Sequence, residues 1–270
     1  MITVVAGGDS FIYGSELADQ KPRQHSNSTF SALLANRIDA EYLCVALPGS
    51  ANASITRRVI DSCESNKTKN LFVLVNWTFT NRYEFYLPQT IKTVRDNWYS
   101  ITHWDTHTSI DDIKVVTSDE KIAKNHSEHF DFLKETGIGD FARNFYRYPG
   151  NTEVYELYTT MKEIVMLQFY LKTNNIPYMF SCVDSGIFYS FNFAQQNKSI
   201  INLKNQIDFD SWFFFPQGSL VNETTTPRGF YQWAVENKYP VGTTHPLELA
   251  HTDAAQLMQE KFNELVKKSI

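Results

Sequence analysis

The chain begins with a short apolar segment that ends in two glycines, an acid and a serine. Residues 2–6 read Ile-Thr-Val-Val-Ala, and Gly7, Gly8, Asp9 and Ser10 follow directly. A β-branched run of this length indicates a buried strand, and the paired glycines indicate a sharp turn at its carboxyl end. In open α/β sheets, ligands bind beyond the carboxyl ends of the strands. The segment therefore predicts an α/β fold with Ser10 at the ligand-binding edge, where it either caps a helix or acts as a nucleophile.

Further apolar runs predict the rest of a sheet, and apolar residues at helical spacing predict the helices around it. The predicted strands are 41–47, 70–77 and 178–183, with a short fifth strand within 212–215. The predicted helices are 29–38, 52–63, 153–174 and a last one from about residue 252. Strands that alternate with helices over short connections form parallel sheets with right-handed crossovers.

Residues 83–152 break this alternation. They mix aromatic residues, charges and histidines without a long regular period. We interpret them as an insertion of short helices after the third strand, within a single domain that spans residues 1–270. Insertions at such positions often form lids or walls of a substrate site. The tryptophans and tyrosines of this stretch fit the core of the insertion, and on a rim they also suit sugar rings.

The composition argues against several classes of function. A net charge of −5 argues against nucleic acid as a main partner, because nucleic-acid binding needs a basic face. No run approaches the roughly 20 apolar residues of a membrane span, and a chain that starts on a strand predicts no signal peptide. The three cysteines show neither disulfide nor zinc spacing. The histidine pairs His103/His107 and His126/His129 lack a third ligand, so no metal and no other cofactor is predicted.

Polar residues follow the other predicted strands and a loop near the carboxyl terminus. Gly49 follows the second strand, and Asn76 and Thr78 lie at the end of the third. His245 precedes a proline, which keeps the chain extended there, in a loop before the last helix. Each of these has an ordinary explanation, as a turn or a surface loop. Together with Ser10 they converge on one edge of the sheet and supply the nucleophile, base and oxyanion donors that serine hydrolysis needs.

The segment Gly8-Asp9-Ser10-Phe11, continued to Leu17, resembles the first block of the SGNH/GDSL hydrolase family. Gly49 stands where the family has its oxyanion glycine, and His245-Pro246 resembles the block that carries the catalytic histidine. This resemblance covers nearly the whole chain. It implies a flavodoxin-like three-layer α/β/α sandwich of about five parallel strands, with Ser10 as nucleophile and His245 as base. The N–H groups of Ser10 and Gly49 are then oxyanion donors.

Two positions depart from the family pattern. Thr78 occupies the slot of the family's asparagine, and either its hydroxyl or the nearby Asn76 would serve as the third oxyanion donor. Gly242 stands where the family has an aspartate, three residues before the histidine. The alternatives are a Ser–His dyad, a triad whose acid comes from elsewhere, such as Asp184 after the fourth strand, or a site that binds without turnover.

The sequence therefore favours a serine ester hydrolase acting on a small acyl or acetyl ester, of a glycan for example. The alternative is a catalytically degenerate binding or structural protein, because the chain also resembles SGNH-like proteins of tailed phages. A cytoplasmic or a virion-associated location follows from these two interpretations. The distance between Ser10 Oγ and His245 Nε2 separates them, since a hydrolase needs about 2.6–3.2 Å.

Overall fold

A computed structural model of the protein describes residues 1–88, 97–107, 127–189, 196–216 and 227–267. The strands and α-helices in chain order are β1 (Ile2–Gly7), α1 (Ser10–Tyr13), α2 (Phe30–Asn36), β2 (Glu41–Cys44), α3 (Asn52–Ser65), β3 (Asn70–Trp77), β4 (Tyr83–Tyr86), β5 (Trp98–Ile101), α4 (Ser127–Thr136), α5 (Ile138–Arg147), α6 (Glu153–Thr173), β6 (Tyr178–Cys182), α7 (Gly186–Tyr189), α8 (Lys198–Lys204), α9 (Phe230–Glu236) and α10 (Glu248–Lys267). Single turns of 3₁₀-helix cover His103–Thr106, Pro149–Asn151 and Phe209–Ser211.

Four strands form a parallel sheet in the order β2-β1-β3-β6. This order matches the first four positions of the flavodoxin-like arrangement, and all four strands lie where the sequence predicts them. The predicted fifth strand is reduced to one parallel bridge between Phe180 and Trp212. Phe213 N donates to Phe180 O at 2.7 Å, beside this bridge.

Helices cover both faces of the sheet. Side chains alternate along a strand, so that Val4 and Ala6 pack with α2 and α10 on one face. Val5 points the other way and packs with α3 and α6. The predicted three-layer sandwich is thereby confirmed, with an apolar core on each side of the sheet. No helix among the described residues is long and apolar enough to cross a membrane.

The region after β3 contains a feature that the sequence did not predict. Strands β4 and β5 pair antiparallel, with Tyr83 opposite Ile101, and pack with α4 and α5 around a separate small core. Short hairpin loops have a recognisable turn sequence. The longer connection here, residues 87–97, gives no such signal. The predicted short helices are present beside this strand pair, and the role of the insertion as a lid stays a prediction.

Candidate active site

Ser10 lies at the junction between β1 and the single turn of α1. Asp9 caps this turn, and its Oδ1 accepts a hydrogen bond from Phe11 N at 3.1 Å. Gly14 ends the turn in the left-handed conformation, with φ at 76°. Gly8 allows the tight bend, because a Cβ there would lie 2.5 Å from Ile12 Cγ1. The local sequence thus fixes Ser10 at the carboxyl edge of the sheet.

The imidazole of His245 faces this serine. His245 Nε2 lies 2.8 Å from Ser10 Oγ, although the two residues are 235 positions apart. The loop before α10 is fixed by Gly242 N, which donates to His245 O at 2.9 Å. The His245 ring packs on Phe11 with centroids 4.8 Å apart, and its side chain is 14% exposed. The imidazole is therefore oriented by its surroundings and is within hydrogen-bonding distance of the hydroxyl.

The other imidazole nitrogen faces a carboxylate that the sequence did not predict there. His245 Nδ1 lies 3.0 Å from Glu16 Oε1. Asp184, named above as one possible acid, contacts other groups. Asp184 Oδ1 instead accepts from Gly186 N and from Gln232 Nε2, both at 2.7 Å. Asp184 follows a strand at the correct edge, but its carboxylate is used to fix the start of α7.

Glu16 reaches the imidazole through an unusual backbone conformation. Its φ is 71°, a left-handed value that costs a non-glycine residue about 1–2 kcal/mol. The carboxylate is held by backbone donors, since its Oε2 accepts from Thr243 N at 2.6 Å and from Thr244 N at 3.2 Å. Strain held in place by such contacts is characteristic of functional sites.

Gly242 has a specific relation to Glu16. A Cβ built on Gly242 would lie 2.2 Å from Glu16 Oε2. The Glu16 carboxylate thus occupies the space that a side chain at position 242 would need. An acidic side chain at position 242 and the Glu16 carboxylate in its observed position therefore exclude each other.

The electrostatics of Glu16 suit it to act on the imidazole. Burial raises the pKa of Glu16, but the hydrogen bonds from His245 and Thr244 outweigh it and hold the pKa below its ordinary value. The carboxylate is therefore charged at neutral pH. A charged acceptor at Nδ1 keeps the proton there, leaves Nε2 free to accept from Ser10, and stabilises an imidazolium.

Two backbone N–H groups at the edge are available as donors. Pro48 and Gly49 form a turn that is closed by Ser50 N donating to Leu47 O at 3.2 Å. Gly49 has φ at 76°, as the third position of a type II turn requires. Within the described part of the chain, neither Ser10 N nor Gly49 N has a hydrogen-bond partner.

The two side chains expected as the third oxyanion donor are both buried. Thr78 Oγ1 donates to Asp9 Oδ2 at 2.6 Å, so its proton is committed to a carboxylate. Asn76 is fully buried in β3, and its Oδ1 accepts from Ser181 Oγ at 2.9 Å, but its Nδ2 has no hydrogen-bond partner among the described residues. The Thr78 proton is therefore not available to an oxyanion, whereas the Asn76 amide keeps a donor that is closed off from solvent. Asn76 faces β6, and Thr78 supports the turn that carries Ser10.

Arg82 also lies at this edge of the sheet. Its Nη1 is 2.9 Å from Asp9 Oδ2 and 3.5 Å from Ser50 O. The guanidinium thus lies between the residue before Ser10 and the residue after Gly49. It packs over the Phe79 ring at 5.0 Å, and its side chain remains 16% exposed.

Comparisons with known proteins give only distant likenesses. No protein-family model matches the chain, and no curated protein matches it. It is similar to the psychrotrophic esterase EstA from Pseudoalteromonas sp., at 10% identity and a TM-score of 0.44, over 98% of this chain and 97% of that chain. It is also similar to the acetyl xylan esterase Est2A from the rumen bacterium Butyrivibrio proteoclasticus, at 12% identity and a TM-score of 0.47, over 98% of this chain and 64% of that chain. Likenesses this distant do not establish a family, so the case for a function rests on the side chains at the sheet edge.

The remaining histidines that the structure describes have partners within the fold. His251 is buried in α10, where burial lowers its pKa to about 3 and its Nδ1 accepts from Phe30 N at 3.2 Å. His129 Nε2 contacts Asp105 Oδ1 at 2.9 Å, and His103 stacks on Tyr146. His126 lies outside the described residues. Among those that are described, no three histidine, cysteine or carboxylate side chains are grouped as a metal site would require.

Proposed function

We propose that this protein is a serine ester hydrolase with Ser10 as nucleophile, His245 as base and Glu16 as the orienting acid. The observation that carries the proposal is the continuous contact from Ser10 Oγ to His245 Nε2 at 2.8 Å and from His245 Nδ1 to Glu16 Oε1 at 3.0 Å. A nucleophile, a base and an acid in this order are the geometric signature of acyl transfer.

The reaction follows from the roles of these atoms. Ser10 Oγ attacks the acyl carbonyl while His245 Nε2 removes its proton. The imidazolium then gives that proton to the leaving alcohol, and an acyl-serine remains. A water molecule, activated by the same imidazole, attacks the acyl-serine and releases the carboxylic acid. Glu16 keeps its charge throughout and stabilises the imidazolium in both halves of the reaction.

The oxyanion of each tetrahedral intermediate needs preorganised donors. Ser10 N and Gly49 N are two candidates, because both lie at the sheet edge without partners in the described residues. Arg82 is the candidate for the third. Its Nη1 is held by Asp9 and Ser50 O, and its other N–H groups have no partner within the described residues. In this proposal, Arg82 supplies the third oxyanion donor that was expected from Thr78 or Asn76.

The contact distance also bears on the alternative of a binding or structural protein. A degenerate site has no need to keep the hydroxyl and the imidazole in contact. The 2.8 Å separation lies inside the interval expected of a working pair, and it favours hydrolysis. The substrate class that we propose is a small acyl or acetyl ester, including an acetylated glycan.

The test is hydrolysis of p-nitrophenyl acetate by the wild type and by Ser10→Ala. We expect the variant to lose about 10⁴-fold or more in kcat. Ser65→Ala is a matched control and should retain full activity. Ser65 is an exposed serine on α3, and within the described residues its hydroxyl bonds only to Asp61 O. Equal activity in Ser10→Ala, with an unchanged circular dichroism spectrum, would refute the serine mechanism.

A further inference from the structure

A cavity of about 570 Å³ opens on the β2 side of the candidate active site. Its walls come from Tyr13 of α1, the chain after β2, the loop of residues 23–27 and Arg58 of α3. Tyr13 lies three residues after Ser10 in the same helical turn, a spacing that places the two Cβ atoms about 5–6 Å apart. The cavity therefore borders the same helical turn that carries the nucleophile, and its volume lies within the range of small-molecule sites.

The two charged side chains that line this cavity, Arg23 and Arg58, have the same sign. Arg23, His25 and Arg58 line it, and no carboxylate is among its described lining residues. The chain as a whole carries a net charge of −5, so the charge of this lining is opposite in sign to the net charge of the chain. Asp19, which belongs to the same loop, directs its carboxylate to Ser26 Oγ and Asn27 N and does not line the cavity.

The fold fixes the Arg58 side chain and the backbone at Arg23. Arg58 Nε donates to Val45 O at 2.7 Å, so this guanidinium is anchored where β2 ends. Arg23 has φ at 64°, and Gln24 N donates to Lys21 O at 3.0 Å, which closes the turn that presents Arg23. Gln24 and Asn27 add amide groups to the same wall.

A second, smaller cavity on the other side of the site provides a contrast. Glu153, Glu156 and Asp184 line it, so it would repel the anions that the first cavity attracts. The two cavities give the edge of the sheet a charge gradient, basic on the β2 side and acidic on the β6 side.

We infer that the basic cavity binds an organic anion, through the carboxylate, sulfate or phosphate group of a polar molecule about the size of a sugar. Guanidinium groups pair with such oxyanions bidentately, and the amides of Gln24 and Asn27 suit hydroxyl groups. The further step, that the bound anion is part of the ester substrate, rests on the proposed function.

The test is direct titration of the protein with glucuronate, glucose 6-sulfate and glucose 6-phosphate, with glucose as the neutral probe, by calorimetry. We expect at least one of the three anions to bind saturably, and glucose to bind about tenfold more weakly or worse. The ranking of the three anions identifies the charged group. Equal affinity for glucose, or no saturable binding of any anion, overturns the inference.

Variants assign the binding to the cavity. Arg23→Gln and Arg58→Lys should each weaken the anion by about tenfold. Arg37→Gln is the control, because Arg37 is an exposed arginine at the end of α2 that pairs with Gln259. Arg23 is exposed, so its variant should fold normally even if the anchored Arg58 does not tolerate change. Unchanged affinity in Arg23→Gln and in a folded Arg58→Lys protein places the anion elsewhere and refutes the assignment.

Inhibition of p-nitrophenyl acetate hydrolysis separates this inference from the proposed function. An anion bound beside Ser10 should inhibit with a constant equal to its Kd, and an anion that binds without inhibiting contradicts its assignment to the substrate. Anion binding by a protein without esterase activity refutes the proposed function and leaves the cavity site intact. Conversely, an active esterase that binds no anion supports the proposed function and refutes the anion site in the cavity.

Discussion

Replacing Glu16 by glutamine removes the charge next to His245 and keeps the shape of the side chain. The pair is partly shielded from water, with side chains 14% and 27% exposed. Unit charges about 4 Å apart interact by about 1 kcal/mol in water and about 4 kcal/mol at the effective dielectric constant near a protein surface. Solvent screening places this pair between the two limits. We therefore expect kcat to fall between about 5-fold and 10³-fold.

The assay is the pH dependence of kcat/KM for p-nitrophenyl acetate. Without the Glu16 charge the imidazolium is less stable, so the acidic limb of the profile should move to lower pH. A variant that merely damaged the fold would lower the rate without moving that limb. Glu260→Gln, which changes an exposed carboxylate of α10, is the control. It should neither lower the rate nor move the acidic limb.

A relocation experiment tests the geometry itself. Gly242→Asp alone should lower activity, because its Cβ would lie 2.2 Å from Glu16 Oε2. In the double variant Glu16→Gly/Gly242→Asp the space is free, and the new carboxylate should restore part of the rate that Glu16→Gly loses. A Glu16→Gln protein with the wild-type rate and an unmoved acidic limb would refute the role of Glu16.

Two further predictions concern residues near the site. Arg82→Lys keeps a positive charge for the buried Asp9 but removes the planar set of donors, so kcat should fall about 10²-fold with little change in the urea midpoint; an unchanged kcat excludes Arg82 from the oxyanion site. His251 has its pKa lowered by burial to about 3, whereas in the unfolded chain it titrates near 6.5. The unfolded state therefore binds more protons between these values, and stability falls as the pH drops below about 6.5, by about 2 kcal/mol at pH 5. Urea denaturation at pH 7 and pH 5 measures this loss of stability. His251→Gln should show a smaller loss. The same loss in both proteins contradicts the lowered pKa of His251 as its cause.

Much of the fold follows from local sequence. The apolar runs that form β1, β2, β3 and β6 are short, β-branched or aromatic, and bounded by polar residues, which is the pattern of buried parallel strands. The sequence likewise predicts the positions of Ser10 and His245 relative to the sheet, because Ser10 follows a predicted strand and His245 lies in the loop before the last predicted helix. The strand pair β4–β5 has no such signal, since its pairing is decided by contacts with α4 and α5.

The sequence does not predict Glu16 as the partner of His245, and the reason is physical. Glu16 meets His245 across 229 residues, and it does so only because its own backbone adopts φ at 71°. Propensity does not predict a glutamate in that conformation. One signal was present, a carboxylate six positions after the candidate nucleophile, next to the turn that Gly14 ends. Asp184 was the more natural choice because it follows a strand, but strand ends also start helices, and Asp184 serves that purpose here.

Reaction with a fluorophosphonate, followed by mass spectrometry of the labelled peptide, tests the central claim most directly. The reagent modifies only an activated serine, whatever the natural substrate. We expect Ser10 to be labelled in the wild type, more slowly in Glu16→Gln, and not measurably in His245→Ala. An intact wild-type protein in which Ser10 stays unmodified, or in which His245→Ala is labelled as fast as the wild type, contradicts a nucleophile activated by this imidazole.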